Sequence, residues 1–580
     1  MRFLLALLLL SFVCTSGRAQ NVEGFFSSIS ERLASRDYLR MQGNAGATFG
    51  YNYFNDDGNG ARRRVQPFNW RLNAGLTFDI LGIKAPFNAA FSNRNSLYNL
   101  PSYSFYGISP SYKWITLHAG DRSINFSPYS LSGVNFRGGG LELRPGKFYL
   151  AAMSGRLRRA RLQDAGSIQD IEGAYRRTGR GIKLGYDNQQ GSSLTTSLFS
   201  SSDELTIDPN QLDTSLLARP ERNMVLTLSA SHELSKFLSV QGEWGRSVLT
   251  RDDRAPLLND PSGPVRLFGL FNPKTTTSAA NAFKTRIILS PKFGKLNLQY
   301  ERVAPEYRTH GALFFQNDLE NFTGGINAPL FDNKLMLSAN LGLQRNDLDN
   351  SSASNNNRFI GSLNLSYTFS DRVNTSFGFS NFTTTNRYKA IAVNNLLVDS
   401  IVLAQTQQSF DGSASVLLDA KGENALIFSG SYQRAALIRD DVLDPDQVSR
   451  FAMFLVSYAR QVEGAKGSFS ASLLFHRNAT IDLTISTIGP NVGYNRKIFT
   501  DKGNLSFQAG YQFALTSFGP NFPGIEDTTT GVFQSSLGSS YKLGKKQTFN
   551  LSVTFVNSGN TEARPGFTDL QINGGWGIGF

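Results

Sequence analysis

Tight turns and long polar segments alternate along this chain, and that ordering constrains its fold more than any other feature. Short connections fall at 234–236, 293–295, 331–334, 370–372, 501–504 and 543–547. Long polar stretches lie between them at 346–358, 438–450, 516–530 and 557–569. The intervening residues alternate as well. In "TFNLSVTFV", Phe549, Leu551, Val553 and Phe555 face one way, and Asn550, Ser552 and Thr554 the other. "RFIGSLNLSYTF" and "KLNLQYE" repeat the pattern, with Leu363, Leu365, Leu296 and Leu298 set against Asn364, Ser366, Asn297 and Gln299. A period of two marks a β-strand with one apolar face. A β-sandwich gives the same alternation but has no reason to sort its connections by length. A membrane-spanning barrel does, with tight turns at one rim and long loops at the other.

The alternation also sets a strand count. The turns at 80–84 and 144–147 share a rim only if an even number of strands separates them, so "SFYGISPSYKWITLHAG" must be a hairpin, Tyr106–Tyr112 and Ile115–Ala119. The expected architecture is an all-β, antiparallel up-and-down transmembrane β-barrel of about 26 strands, with 24–28 acceptable, in the even-numbered range of such barrels. Gly138 to Gly140 interrupt one strand and read as a bulge or a close backbone approach.

The first 20 residues, "MRFLLALLLLSFVCTSGRAQ", carry Arg2, an apolar run and then small residues, which is the pattern of a secretory signal peptide cut after Ala19. Cys14 is the only cysteine, so cleavage leaves no disulfide framework. Past that leader no apolar run is long enough for a membrane helix. Charged residues are 18% of the chain, below the usual quarter, while Gly (54) and Phe (45) are abundant, which suits strands half turned to lipid. Three segments follow: signal peptide 1–19, a helical lead-in or plug 20–37, and the barrel 38–580. In the lead-in, Val22, Phe25, Phe26, Ile29 and Leu33 form one helical stripe.

The chain ends "QINGGWGIGF", with Trp576, Ile578 and Phe580 on one strand face. This resembles the C-terminal assembly signal of bacterial outer-membrane β-barrel proteins, and the Asn-, Ser- and Phe-rich strands are similar in style to those of the Bacteroidota. The resemblance implies an integral protein of the bacterial outer membrane that meets barrel-assembly machinery and outer-membrane lipid. It covers the class and assigns no specific family.

Three features bear on function. The segment 120–148 contains an apolar loop, Phe126, Pro128, Tyr129 and Leu131, which reads either as an inward constriction or as a cover for its own rim. On strand parity Arg156, Arg158 and Lys183 face the lumen, with Tyr149, Ala151, Met153 and Leu157 on the lipid side; Glu243 and Glu301 are lumen candidates too. A net charge of +13 reflects clustered arginines, which read as partners for lipid phosphates or as an anion-attracting patch. Export argues against nucleic acid as a partner. His118, His232, His310 and His476 are scattered, and no metal, cofactor or nucleophile motif appears, so no enzyme, cofactor or metal site is expected. The leading reading is a channel or transport protein, porin-like, with a partly occluded lumen. The alternatives are the barrel component of a secretion or surface-assembly complex, and a structural or adhesive barrel acting through its outer loops.

Overall fold

The computed structural model describes residues 39–580 except 57–66, 94–103, 161–173, 205–218, 260–262, 353, 389–390, 394–395, 399–400, 440–441, 463–465 and 561–564. The leader and the helical lead-in thus lie outside the described residues. One continuous antiparallel sheet runs from the strand Leu39–Asp56 to the strand Phe567–Gly579, and these two pair with each other, so the sheet closes. Counting Phe105–Ile108 and Ser111–Tyr112 as one interrupted strand, the wall has 26 strands. Pro110 causes the interruption: it has no N–H to give the ladder, and its carbonyl accepts from Leu117 N at 2.9 Å instead. Closure removes the unpaired edges of the wall, which lipid would not tolerate, and leaves, among the described residues, only the small separate hairpin Ile391–Val393 with Leu396–Val398 outside it.

The alternation sorts side chains as the period-two pattern requires. Large apolar residues such as Leu194, Leu228, Phe283, Leu298, Phe322, Leu341 and Leu473 are exposed on the outer face, where a membrane would cover them. At the short-turn rim Phe237, Phe293, Phe331, Phe369 and Phe499 are each more than half exposed, an aromatic girdle of the kind that marks a membrane interface. The molecule is an integral outer-membrane β-barrel.

One expectation changes and another resolves to one of its two alternatives. The segment 438–450 is not a loop: strands Asn424–Arg439 and Val442–Val462 carry the ladder through it, with Arg439 paired to Val442. A register shift between Ala436 and Ile438 absorbs four residues, Pro445 among them, so the residue that cannot donate stands outside the ladder. At Gly138 to Gly140 the ladder continues without a bulge. Close approach is what glycine supplies there, since a Cβ on Gly140 would stand 2.7 Å from Ile124 Cδ1.

Candidate functional site: a plug held against one wall

Two long loops turn into the lumen. The first, 123–135, joins strands Ile115–Arg122 and Phe136–Leu143; the second, 304–318, joins Lys295–Val303 and Leu319–Leu330. They meet in a parallel bridge between Leu131 and Gly311, where Ser132 N donates to Gly311 O at 2.8 Å. Thr309 Oγ1 donates to Ser130 O at 2.5 Å and the Tyr307 hydroxyl to Tyr129 O at 2.8 Å.

Apolar packing carries this plug. Ile124, Phe126, Leu131 and Val134 close over Phe136, Ala151, Met153 and Phe199 of the wall. Tyr129, Tyr307 and the partly buried Phe315 pack with Val225, Ala282 and Val303. Leu131 and Tyr307 are 0% exposed, and burying such a side chain contributes about 1.5–3 kcal/mol. Of the four expected loop residues only Pro128 remains exposed.

The wall supplies polar sockets. Glu243, Lys284 and Glu301 stand side by side on adjacent strands in one inward-facing row. Ser127 Oγ donates to Glu243, and the Tyr129 hydroxyl donates to Glu301 Oε1 at 2.7 Å. Burial, and then the carboxylates of Glu301 and Glu243, push the Tyr129 phenol above its usual range, so it acts as a neutral donor. Lys183 Nζ donates to Phe126 O at 2.6 Å and lies 5.7 Å from the centre of the Tyr149 ring. Three of the expected lumen charges, Lys183, Glu243 and Glu301, therefore hold the loop.

The second loop has its own clasp. His310 Nδ1 pairs with Ser201 Oγ at 2.8 Å, and His310 Nε2 lies 3.2 Å from Glu221 Oε2. Arg177 Nη2 donates to Glu221 at 2.7 Å, and Arg177 also grips the fully buried Asp203 through Nε and Nη2 at 2.7 and 2.8 Å. Burial works against the Glu221 carboxylate, yet the hydrogen bond with His310 and the charges of His310 and Arg177 hold it down at about 2. Burial also pushes the His310 imidazole below its ordinary value, against the pull of Glu221. Arg158 belongs to this cluster, with Nη2 3.3 Å from Asp203 Oδ2 and Nε donating to Tyr175 O, so it is a structural charge.

Arg156 requires a correction. Tyr149, Ala151, Met153 and Leu157 face inward beneath the plug, and Arg156 points outward, opposite Arg137 and Thr178. A register shift between Arg156 and Arg158 then turns Arg158 inward. Parity failed because apolar residues were assigned to lipid, whereas these are apolar because the plug covers them.

Sequence reasoning missed Lys284, Tyr307, Thr309 and the whole 304–318 loop. Its "HGALFF" run, residues 310–315, was the available signal: an apolar stretch in a segment where outer loops are polar. A second Ser–His–Glu relay braces the neighbouring wall, with His118 Nδ1 2.9 Å from Ser109 Oγ and His118 Nε2 3.0 Å from Glu142 Oε1. Ser109 is only 8% exposed, and Glu142 also accepts from Tyr149 and Arg144. This is a cross-strand brace with its hydroxyl shut away from solvent.

Beyond residue 330 the inner face is different. Among the described residues beyond it only Ala436, Val448 and Ala514 are buried apolar residues, and the register turns Ala436 and Val448 to the outer face. Rows of small polar side chains line the wall instead: Asn504, Ser540, Asn550 and Gly575 are successive cross-strand neighbours, and Ser506, Gly538, Ser552 and Asn573 form the next row. The terminal strand is stitched on both sides, with Trp576 opposite Phe549 and Ala47, Ile578 opposite Gln547 and Ala45, and Phe580 N donating to Gly43 O at 2.9 Å. Trp576 and Phe580 are exposed.

No protein-family model matches the chain, and no curated protein matches it either. Among solved structures it is similar to the P pilus usher (PapC) translocation pore, at 12% identity and TM-score 0.37, covering 93% of this chain and 99% of that one. An E. coli P pilus tip assembly intermediate, PapC-PapD-PapK-PapG, gives 13% identity and TM-score 0.43, with 92% and 60% covered. An enterobactin-bound mutant of the ferric enterobactin receptor PfeA from Pseudomonas aeruginosa gives 11% and 0.40, with 93% and 81% covered. Such distant likenesses leave this chain's own geometry as the ground for its function.

Proposed function

We propose that the protein is an outer-membrane transport channel with a partly occluded lumen, in which the two inward loops form a fixed constriction and solutes pass along the polar wall opposite. The observation that carries this reading is the division of the inner face: a hydrogen-bonded plug over strands 115–330, and rows mainly of Asn, Ser and Gly on the rest, with Asp411, Lys497 and Lys542 among them. Asn and Ser side chains keep such a wall wet without binding an ion tightly. The loops are clamped at Lys183, Glu243, Glu301 and Glu221, which suits a fixed narrowing better than a swinging lid.

The mature protein is tested in planar bilayers and in liposomes loaded with neutral sugars of graded size. The intact protein should conduct weakly and admit only small sugars. Joining loop to wall by Ser130→Cys with Ser197→Cys, whose hydroxyls stand 3.2 Å apart, should leave that conductance unchanged when oxidised. The chain tested begins at Gln20, past Cys14, the only cysteine of the sequence, so no native thiol interferes. A protein that stays silent even with 123–133 shortened would defeat the channel reading.

A second reading draws on width. Barrels of 16–18 strands already leave an aqueous channel, and 26 strands leave room for a macromolecular cargo delivered by secretion or surface-complex partners. That reading expects silence in the isolated protein and activity only with its partner. Under either reading the outward aromatic strand ending at Phe580 is what barrel-assembly machinery recognises, with no nucleic acid or cofactor involved.

A further inference from the structure

The outward turn of Arg156 leaves a cluster that the lumen does not explain. On the outer face of the strands between residues 115 and 204, Arg137, Arg156, Arg176 and Arg180 stand together near the long-loop rim. Thr178 is their centre: Arg156 is directly across the ladder from it, and Arg176 and Arg180 are two residues to either side along its strand. Direct cross-strand neighbours have Cβ atoms about 4.5–5.5 Å apart and diagonal ones about 7–8 Å, so these guanidinium groups can converge on one anion. Exposed Arg159 follows just beyond the rim.

Carboxylates neutralise only part of the cluster. Asp121 takes Arg137, with Nε donating to Oδ1 at 2.7 Å, and Glu204 takes Arg176 at 3.3 Å. Four arginines against two carboxylates leave a charge of +2, and among the described residues neither Arg156 nor Arg180 has an acidic partner. The exposed Ser154 lies opposite Arg180 as a further hydroxyl donor. Directly toward the short-turn end the same face becomes apolar, with Ala152 opposite Ile182 and Leu150 opposite Leu184, and with Ile182, Leu184 and Tyr186 exposed. Like charges facing the same way are costly beside hydrocarbon unless an anion joins them.

We propose that this outer face is a docking site for a phosphate-bearing lipid of the outer leaflet. Its phosphate is held by Arg156 and Arg180, with Arg176 and Arg137 flanking, and its acyl chains lie along Leu150, Ile182 and Leu184. Guanidinium groups suit the phosphate because they offer paired donors in one plane. The step from Arg180 to Ile182 sets the depth, since it places the cation at the boundary between headgroup and hydrocarbon. The site is independent of whether the lumen conducts.

The test uses full-length mature protein in neutral detergent, with native mass spectrometry counting retained lipid. The probes are a diphosphorylated glycolipid and the same lipid after enzymatic dephosphorylation. Wild-type protein should hold the phosphorylated form about ten- to thirtyfold more tightly, from the membrane-surface attraction of two arginines. R156Q/R180Q should lose that preference, and R156K/R180K should retain part of it. R477Q, on the outer wall of a distant strand, should behave as wild type. Heat-modifiable migration confirms that each variant is folded. Equal affinity for both lipids, or an unchanged preference in R156Q/R180Q, would overturn the proposal. So would displacement of the lipid by millimolar inorganic phosphate or by soluble polyphosphate, which would mark a site for free or polymeric anions.

Discussion

Between Ile115 and Val303 the inner wall lies under folded loops, while from Leu335 to Gly579 no loop among the described residues covers it, and the strands differ to match. Phe136–Leu143 has 8 residues on the covered side, whereas Val442–Val462 has 21 on the bare side. The covered side turns Ala151, Met153, Phe199, Val225 and Val303 inward, and the bare side turns Asn364, Ser366, Asn550 and Ser552 inward. The same closed sheet therefore presents two solvents to its own lumen. In this barrel the fully buried inward apolar residues lie where loops fill the interior, whereas Met453, Leu455 and Leu474 face inward without such a cover among the described residues, so apolar character alone does not locate the lipid.

The sharpest test of that difference compares matched substitutions. Tyr129→Ala empties a packed site and leaves Glu301 without its donor, so it should lower unfolding free energy by about 3–5 kcal/mol. Asn550→Ala, on the bare wall, should stay within about 0.5 kcal/mol. Chemical unfolding from lipid vesicles reads both, and equal costs would mean the plug contributes no packing. Next in size, shortening 123–133 together with 306–316 should raise single-channel conductance by about an order of magnitude, while trimming the bare side's 519–527 loop should change it little.

Acid should act on the covered side alone. His310 has its pKa lowered in the folded state, so the unfolded or detached form binds the proton more readily, and attachment weakens as pH falls below the ordinary imidazole value of about 6.5. Glu221, at about 2, adds a second loss as pH falls from its ordinary carboxylate range toward that value. Conductance should rise severalfold between pH 7 and pH 4, and His310→Gln should remove the upper part of that rise. A pH-independent protein would show that the clasp does not hold the loop. The smallest expected effect is on selectivity. Lys183→Gln should shift ion preference modestly away from anions, because Lys183 faces the lumen, whereas Arg156→Gln should leave reversal potentials unchanged because Arg156 faces out.

The barrel was legible because period-two alternation and connection length are local signals, repeated in strand after strand. The hairpin that contains Pro110 follows from parity alone. Parity misplaced Arg156 for two physical reasons: residues under the plug imitate lipid-facing ones, and the shift before Arg158 reverses the count. The loop Phe126–Leu131 showed itself by being apolar where loops are polar. Its partners did not, because the pairings of Leu131 with Gly311 and Tyr129 with Glu301 join positions more than 170 residues apart. The stretch 438–450 looked like a loop because Asp and Pro dominate it, yet a rise of strands above the membrane tolerates both at a bulge.

Closure by the first and last described strands has a consequence for how the molecule comes into being. Asn44 finds its partner at Gly579, 535 positions later (579 − 44), so this seam is the longest-range event in the fold. Contacts so distant in sequence form slowly, because the entropy of a very long intervening chain is lost before any hydrogen bond is gained. Until Phe567–Gly579 arrives, Leu39–Asp56 offers one free edge to any passing strand. The growing sheet is then an open ribbon, exposed to mispairing and aggregation throughout its assembly. A ring fastened last is all-or-nothing, so a truncated chain should be cleared rather than persist as a leaky half-barrel.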